Sequence, residues 1–249
     1  MQNYADIFQI RGQQHAEAFR RFPEAVREEI DAILTLAAPQ PNDLVLDLPA
    51  ASGFLARYLR VPGVRLMAVE PSRQLYDFCK LAVARSYMAP LNRLPFHAGE
   101  VDVAISLAGL HHEQSIDEIF GEVFRVLRKG GRFAIAEVNL NSPPARFLNG
   151  FVDRHSTHGH SGYFASDTYV ESLETAGFRV DVDTVADYYW RFDSDADMAE
   201  CLRLMFGIDR ATPEQIVSAV SQQLGIDRFP EGTVGMRWSL RHFLCIKEA

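Results

Sequence analysis

Five histidines lie in two short clusters, and imidazole, with an ordinary pKa of about 6.5, suits proton transfer near neutral pH. The first cluster is the pair His111 and His112. The second cluster, in the stretch HSTHGHSGYF, contains His155, His158 and His160. Such groups act as general bases when an oxygen, nitrogen or carbon acid must lose a proton to react. We therefore select His112, His158 and His160 as candidate catalytic residues, and expect His158 or His160 to face a substrate.

Both clusters also have other interpretations. The pair His111 and His112 would serve equally to brace a neighbouring loop. The spacing His-x2-His-x-His, with Asp153 nearby, would suit a metal ion. The longer-range ligand pattern of a known zinc module is absent, however, so we predict no metal site. A further interpretation is that the histidines of the second cluster form hydrogen bonds that rigidify a loop.

Two carboxylates, Asp47 and Glu70, end short apolar runs that predict buried strands. The first run continues as LVLDLPAASGFLARYL, in which a turn of small residues leads through Gly53 into a helical pattern. A helix N-terminus behind such a turn offers free backbone N–H groups to a ligand. A carboxylate about 20 residues further on is placed to accept hydrogen bonds from ribose hydroxyls. Together the two features favour a nucleoside ligand over an ordinary strand-to-helix turn.

Strands and helices alternate through the first half of the chain. Strands are predicted at 44–48, 64–69, 101–107 and 132–138, and helices at 16–38, 53–60, 72–85 and 116–127. This alternation predicts an α/β fold with a mostly parallel sheet and helices on both faces. Ligands bind such sheets at the carboxyl ends of the strands, where Asp47 and Glu70 lie.

The pattern changes after residue 139. Residues 141–162 are rich in Pro, Gly, Asn and His, which predicts a loop with one short helix at most. The remaining elements are a helix at 166–176, a strand at 178–185, helices at 198–206 and 213–224, and a strand at 238–246. We interpret the last two helices as a small cap on the domain. The aromatic run DYYWRFDS, with Tyr188 and Trp190, either lines an apolar substrate pocket or packs the cap onto the sheet.

The composition excludes several classes of protein. The 249 residues are 47% hydrophobic and carry a net charge of −8, which disfavours disorder and phosphate-driven nucleic-acid binding. The three cysteines are far apart and form no CxxC pair, so neither a disulfide framework nor a zinc ribbon is indicated. The polar N-terminus resembles no signal peptide, and no apolar run approaches the roughly 20 residues of a membrane span. We therefore expect a cytoplasmic protein without a membrane partner.

Four motifs in order across residues 44–138 resemble those of class I S-adenosylmethionine (SAM)-dependent methyltransferases. LVLDLPAASGFLARYL resembles the first motif, although Pro49 and Ala51 replace two of its three glycines. AVEPS resembles the acidic second motif, and LPFHAGEVDVAISLAGLHH resembles the segment around the fourth strand. RVLRKGGRFAIAEV resembles the turn and strand that follow. The resemblance implies a Rossmann-like, mostly parallel seven-stranded sheet and SAM as the cofactor.

The resemblance also implies which residues hold SAM. Asp47 and the loop Pro49, Ala51 and Gly53 would hold its methionine part, and Glu70 its ribose. Adenine would lie beside Pro71 and Ser72; its amine would be read near Pro90 and Leu91 or by Asn92, because Pro90 replaces an Asp common in the family. Ser106 and Leu107 would lie under the transferred methyl, and His111 would brace the cofactor loop. From position alone, we predict that Tyr4, Phe8 and Arg11 fold over the cofactor and that Arg11 pairs with its carboxylate.

These inferences together predict a single methyltransferase domain over residues 1–249. Residues 1–40 would form a helical lid, 41–140 the SAM-binding core, and 141–165 with 188–234 the substrate cap. The acceptor would be the O, N or C atom of a small molecule, as in biosynthesis, contacted by Tyr4, His155, Tyr188 and Trp190. Two alternatives remain: a methyltransferase acting on a carrier-bound or tRNA substrate, and a SAM-binding protein that has lost its chemistry.

Overall fold

The central strands of the sheet are short and apolar, as expected for parallel strands covered on both faces. The computed structural model describes residues 3–248. Its strands are β1 (Leu44–Asp47), β2 (Arg65–Val69), β3 (Arg85–Tyr87), β4 (Val101–Leu107), β5 (Leu127–Glu137), β6 (Phe178–Phe192), β7 (Ile226–Arg228) and β8 (Val234–Lys247). They form one sheet in the order β3-β2-β1-β4-β5-β8-β6, and β7 pairs with β8.

The first five strands run parallel, whereas β8 is antiparallel to both β5 and β6. The strand order reverses between β1 and β4, so a crevice is expected at the carboxyl ends of these two strands. Asp47 ends β1, Leu107 ends β4 and Glu137 ends β5. The register places all three at the same edge of the sheet. The predicted Rossmann-like sheet of seven main strands is confirmed, and β7 is an eighth, short addition.

Helices cover both faces of the sheet. The long ones are α1 (Tyr4–Arg21), α2 (Arg27–Ala37), α3 (Arg73–Ala82), α4 (Ile116–Val126), α7 (Asp167–Thr175), α8 (Asp195–Phe206) and α9 (Pro213–Gln223). Side chains alternate between the faces: Val45 and Val103 pack with α2 and α8, whereas Leu46 and Phe133 pack with α4 and α7. None of the helices within residues 3–248 is long and apolar enough to cross a membrane.

A helical segment after β5 replaces the loop predicted for residues 141–162. Its parts are α5 (Pro143–Arg146), a π-helical stretch (Phe147–Val152) and α6 (Asp153–His155). Ser142 caps the segment by accepting a hydrogen bond from the backbone N–H of Ala145. Phe147 and Val152 are fully buried, which explains the error: tertiary packing stabilises a helix whose local sequence favours a loop.

Three other predicted boundaries are wrong. The helix predicted over 16–38 is two helices, because α1 ends at Arg21 before Pro23, and α1 begins twelve residues earlier, at Tyr4. The predicted helix at 53–60 is a single 3₁₀ turn, Phe54–Arg57. The strand predicted to end at Val185 continues to Phe192, so Tyr188 and Trp190 belong to β6.

Candidate active site

The turn after β1 carries the first group of candidate site residues. Asp47 is buried, its Oδ2 has no hydrogen-bond partner among the described residues, and burial raises its pKa to about 8. Ala51 has a φ of 49° and Gly53 a φ of 75°, both in the left-handed region that favours glycine. The backbone of the turn is therefore glycine-like even though Ala51 carries a side chain.

Glu70, just beyond β2, is fully buried and accepts three hydrogen bonds. Oε1 accepts from the backbone N–H of Ser72 at 2.7 Å, and Oε2 accepts from the backbone N–H of Ala51 at 2.8 Å. The third donor is the hydroxyl of Tyr4, 3.1 Å from Oε2. Burial raises the pKa of Glu70 to about 8 although each donor opposes the shift. The first helix is thus tied to the carboxylate that was predicted to hold ribose.

The end of β4 approaches the same turn. Ser106 is buried, and its hydroxyl has no partner within residues 3–248. Gly109 lies against the ring of Pro49, since a Cβ on Gly109 would be 2.5 Å from Cγ of Pro49. Any larger residue at 109 would push the two loops apart. The approach brings the end of β4 against the Pro49–Ala51 turn.

Three histidines, two of them adjacent in sequence, meet beside these loops. His111 and His112 form a short 3₁₀ turn after β4, and His160 comes from the segment after α6. Their ring centroids are 4.0–5.7 Å apart. Nδ1 of His111 lies 2.7 Å from Oε1 of Glu137, and Nδ1 of His160 lies 2.9 Å from Oδ1 of Asn149. Because both partners accept, the two Nδ1 atoms carry the protons and the Nε2 atoms hold free lone pairs.

Burial also sets the charge of these imidazoles. It lowers the pKa of both His112 and His160 well below the usual value, with neighbouring imidazoles and Arg11 adding repulsion. Arg11 is itself buried, and this lowers its pKa to about 10. Its guanidinium donates to the backbone oxygen of Met205 at 2.8 Å, whereas Nε has no partner among the described residues.

These groups surround one enclosed space, here called the central cavity. It lies between α1, the turns after β1 and β4, and the buried ends of β6 and β8. Its apolar walls include Phe8, Phe19, Leu148, Trp190, Phe206 and Trp238. The cavity measures about 90 Å³, far below the several hundred Å³ that a drug-sized ligand occupies. A cofactor and an acceptor therefore fit only if α1 moves.

Ten of the predicted site residues line the central cavity. They are Tyr4, Phe8, Arg11, Pro49, Ala51, Leu107, His111, His112, His160 and Trp190. Asp47, Glu70 and Ser106 are buried near its floor and do not line it. Gly53 faces away, because a Cβ there would meet Ala82 and Val83 of the α3 side.

Three of the residues predicted to contact substrate or to act in catalysis do not line the cavity. His155 stacks on Phe151, with 4.3 Å between ring centroids, because it ends a helix that packs outward. His158 is exposed and borders an open depression beside the cavity. Tyr188 pairs its hydroxyl with Nε2 of His242 on β8. Tyr188 and Trp190 share a face of β6, but only Trp190 reaches the cavity.

The residues predicted around adenine form a looser group. Pro71 is half-buried, Leu91 is buried and Pro90 is exposed. The amide of Asn92 donates to Oε2 of Glu118 at 2.7 Å, so in this structure Asn92 is engaged on α4. Ser72 has a structural task as well, since its hydroxyl caps α3 at Leu75.

Sequence reasoning missed Glu137, Glu29 and Asn149. Glu137 ends β5, and its position at the carboxyl end of a parallel strand was a usable signal. Glu29 lies on α2, where it accepts from Nε1 of Trp190 at 2.8 Å, and burial raises its pKa to about 7. Asn149 lies in the segment read as loop. No local pattern links Glu29 or Asn149 to the site.

Comparison with known proteins identifies the fold and family. Residues 46–135 match the family model described as "Methyltransferase domain". The structure also resembles geranyl diphosphate C-methyltransferase from Streptomyces coelicolor, solved with S-adenosyl-L-homocysteine, with a TM-score of 0.59 and 14% identity over 94% of this chain and 83% of that one. Residues 46–135 therefore carry a methyltransferase domain, which agrees with the resemblance to class I SAM-dependent methyltransferases. SAM is the cofactor of this domain.

Curated relatives of this methyltransferase cover only part of it. Arsenite methyltransferase from Halobacterium salinarum is 27% identical over 67% of this chain and 46% of its own length. A tRNA (carboxymethyluridine(34)-5-O)-methyltransferase from Xenopus tropicalis is 31% identical over 40% of this chain and 16% of its own. The chain thus spans less than half of the length of either relative. The names of the two relatives indicate different methyl acceptors.

The residues of this methyltransferase fit SAM chemically. Asp47 has a buried carboxylate oxygen without a partner, and Glu70 lies at the end of the neighbouring strand. Arg11 offers an unpartnered guanidinium nitrogen for a carboxylate. Binding of SAM is restricted by α1, since the hydroxyl of Tyr4 already donates a hydrogen bond to Oε2 of Glu70. α1 therefore lies against residues that were predicted to hold SAM.

Proposed function

We propose that the protein transfers a methyl group from SAM to an O, N or C atom of a small molecule that binds in the central cavity. The observation that carries this proposal is the shape of the cavity. It joins the turn at Pro49 and Ala51 to three imidazoles and a wall of aromatic rings. Cofactor-binding elements and an apolar acceptor pocket therefore share one enclosed space.

Each group has a role in this proposal. When bound, SAM supplies an electrophilic methyl group, whose bond to sulfur breaks with the electron pair leaving on sulfur. The carboxylate of Glu70 accepts from the ribose, and Arg11 pairs with the cofactor carboxylate. The aromatic walls exclude water and hold the acceptor in line with the methyl group.

The imidazoles take the acceptor proton. His111 keeps its own proton on Nδ1, held by Glu137, so Nε2 is free to accept. His160 is held in the same tautomer by Asn149. As the new bond to the methyl carbon forms, the proton of the acceptor moves to a ring nitrogen of His112 or His160. Both imidazoles are neutral at pH 7, because burial lowers their pKa.

A small acceptor is favoured over a macromolecule for two reasons. The cavity is small, and most of the side chains that line it are apolar or aromatic. The net charge of −8 also disfavours a polynucleotide partner. The named substrate of the archaeal relative, arsenite, is likewise small.

The test is an equilibrium titration of purified protein with SAM and S-adenosylhomocysteine, followed by a metabolite screen for methyl incorporation. Micromolar binding of both ligands is expected, with at least a tenfold loss in Glu70→Gln, which keeps the shape but replaces an acceptor oxygen by an amide donor. The matched control is Glu171→Gln, the same substitution at an exposed position of α7. Absence of binding by folded wild-type protein would contradict the proposal.

A second candidate function is a SAM-binding protein without methyl transfer. The replacement of two motif glycines by Pro49 and Ala51 favours it, because the loop that would hold the methionine part of SAM departs from the usual pattern. The metabolite screen separates the two: SAM binding without methyl incorporation into any fraction supports the second candidate. Methyl incorporation that depends on Glu70 supports the first.

A further inference from the structure

The histidines His111, His112 and His160 bring their ring nitrogens unusually close together. One nitrogen from each of the three lies within 4.8 Å of the others, and all three side chains are buried. Imidazoles packed together inside a protein repel when protonated and have little dispersion to gain compared with apolar residues. A shared ligand would explain the arrangement.

Hydrogen bonds occupy one ring nitrogen in two of the three histidines and leave the other nitrogen for a ligand. Glu137 holds Nδ1 of His111, and Asn149 holds Nδ1 of His160. In metal-binding histidines the nitrogen that does not bind the metal is usually held by a carboxylate or carbonyl in this way. The third histidine, His112, has a buried Nδ1 with no hydrogen-bond partner among the described residues. That atom is an independent sign of a missing ligand.

Backbone hydrogen bonds hold two of these three residues, His111 and His160. The carboxylate of Glu137 accepts from the backbone N–H groups of Leu110 and His111 at 2.9 and 3.2 Å. On the other side, the backbone N–H of His160 donates to Oδ1 of Asp153 at 2.9 Å. Both halves of the cluster are therefore anchored before any ligand binds.

We propose that His111, His112 and His160 bind one divalent transition metal ion, of the Zn²⁺ class. Three imidazoles suit Zn²⁺, and three protein ligands with a fourth position open are typical of zinc sites that act on substrates. With metal–nitrogen bonds of about 2.1 Å, tetrahedral ligand atoms lie about 3.4 Å apart. The nitrogens must therefore approach by up to about 1.4 Å, which small rotations of the side chains provide.

Two charges near the cluster decide which ligand binds at the fourth coordination position of the metal ion. Glu137 supplies one negative charge beside His111, and Arg11 borders the cavity on the other side. A metal ion next to Arg11 favours an anionic fourth ligand, such as a deprotonated hydroxyl or thiol. In the metal-bound form the imidazoles act as ligands and no longer as bases. Metal binding itself does not depend on methyl transfer.

The test is metal binding by tag-free, full-length protein freed of metal, first with Co²⁺ alone. One Co²⁺ per chain, visible as absorption bands of a tetrahedral site and displaced by Zn²⁺, is expected. His160→Gln should weaken binding at least tenfold. The matched control is His158→Gln, the same substitution two residues away at an exposed position, which should bind as wild type does. Binding that is absent in the wild type, or equal in the two variants, overturns the proposal.

A second variant covers the case in which His160→Gln fails to fold. Asn149→Ala removes the acceptor that orients His160, together with two hydrogen bonds to the backbone of Gly162. A loss of about 10- to 100-fold in metal affinity is expected. Unchanged affinity in folded Asn149→Ala would also contradict the site. Because SAM binding is titrated separately, metal binding without SAM binding would contradict only the proposed function.

Discussion

The hydroxyl of Tyr4 donates a 3.1 Å hydrogen bond to Oε2 of Glu70, and so joins residues 66 positions apart. The bond ties α1 to the end of β2 and fills the position where a ribose hydroxyl is expected. The ring of Tyr4 packs on Phe8, with 4.5 Å between ring centroids. Cofactor entry therefore requires that α1 release Glu70.

The first prediction concerns this bond. Tyr4→Phe keeps the ring and its packing but removes the competing donor. One net hydrogen bond contributes about 1 kcal/mol, so the affinity for SAM should rise about fivefold. Calorimetric titration of both proteins measures the change. Unchanged or weaker SAM binding in the variant would mean that Tyr4 supports the bound state instead of competing with it.

The second prediction concerns Arg11, whose guanidinium is buried with one nitrogen unpartnered. Arg11→Met should weaken SAM binding about tenfold or more, because the cofactor carboxylate loses its charged partner. Binding of 5′-methylthioadenosine, which lacks that carboxylate, should change little. An equal loss for both ligands would show that Arg11 acts through the packing of α1 and not through the carboxylate.

The third prediction is a pH dependence of stability. Burial raises the pKa of Glu29 from 4.5 to about 7, so the folded state holds a proton that the unfolded state releases. The contribution of Glu29 to the unfolding free energy is fully present below pH 4.5 and is lost as the pH rises to about 7. The loss amounts to as much as about 3 kcal/mol. Glu29→Gln should therefore be more stable than wild type at pH 8 and show a flatter profile.

Urea unfolding at pH 5 and pH 8 measures this effect. Glu28→Gln is the matched control, since Glu28 is the neighbouring residue on α2 and its half-exposed carboxylate pairs with Arg191 of β6. If the unfolding free energy of both variants changed between pH 5 and pH 8 as much as that of the wild type, Glu29 would not be the group responsible.

The fourth prediction concerns the contact between Gly109 and Pro49. A Cβ at Gly109 would lie 2.5 Å from Cγ of Pro49, so Gly109→Ala must displace the turn that follows β1. We expect a loss of about 1–3 kcal/mol in unfolding free energy and weaker SAM binding. Gly121→Ala on α4, where nothing lies within 4 Å, should instead gain about 0.5–1 kcal/mol. Equal stability of the two variants would refute the close contact.

The sequence determined the sheet and the edge at which the site lies. Val101–Leu107 forms β4 as predicted, because a continuous apolar run between turns has few alternatives to a buried strand. Ser72 caps α3 for an equally local reason, its hydroxyl bonding to a backbone N–H three residues on. Asp47 and Glu70 could be selected as candidate site residues from their positions at strand ends and from their spacing alone.

Only the tertiary structure decided which side chains meet. His160 joins His111 and His112 while His155 and His158 turn outward, and nothing in their shared stretch distinguishes them. Glu29, 161 residues from Trp190, reaches the site because α2 packs on β6. Local sequence sets backbone preferences over a few residues, whereas such contacts depend on packing between elements distant in the chain, which stabilises one arrangement over its competitors.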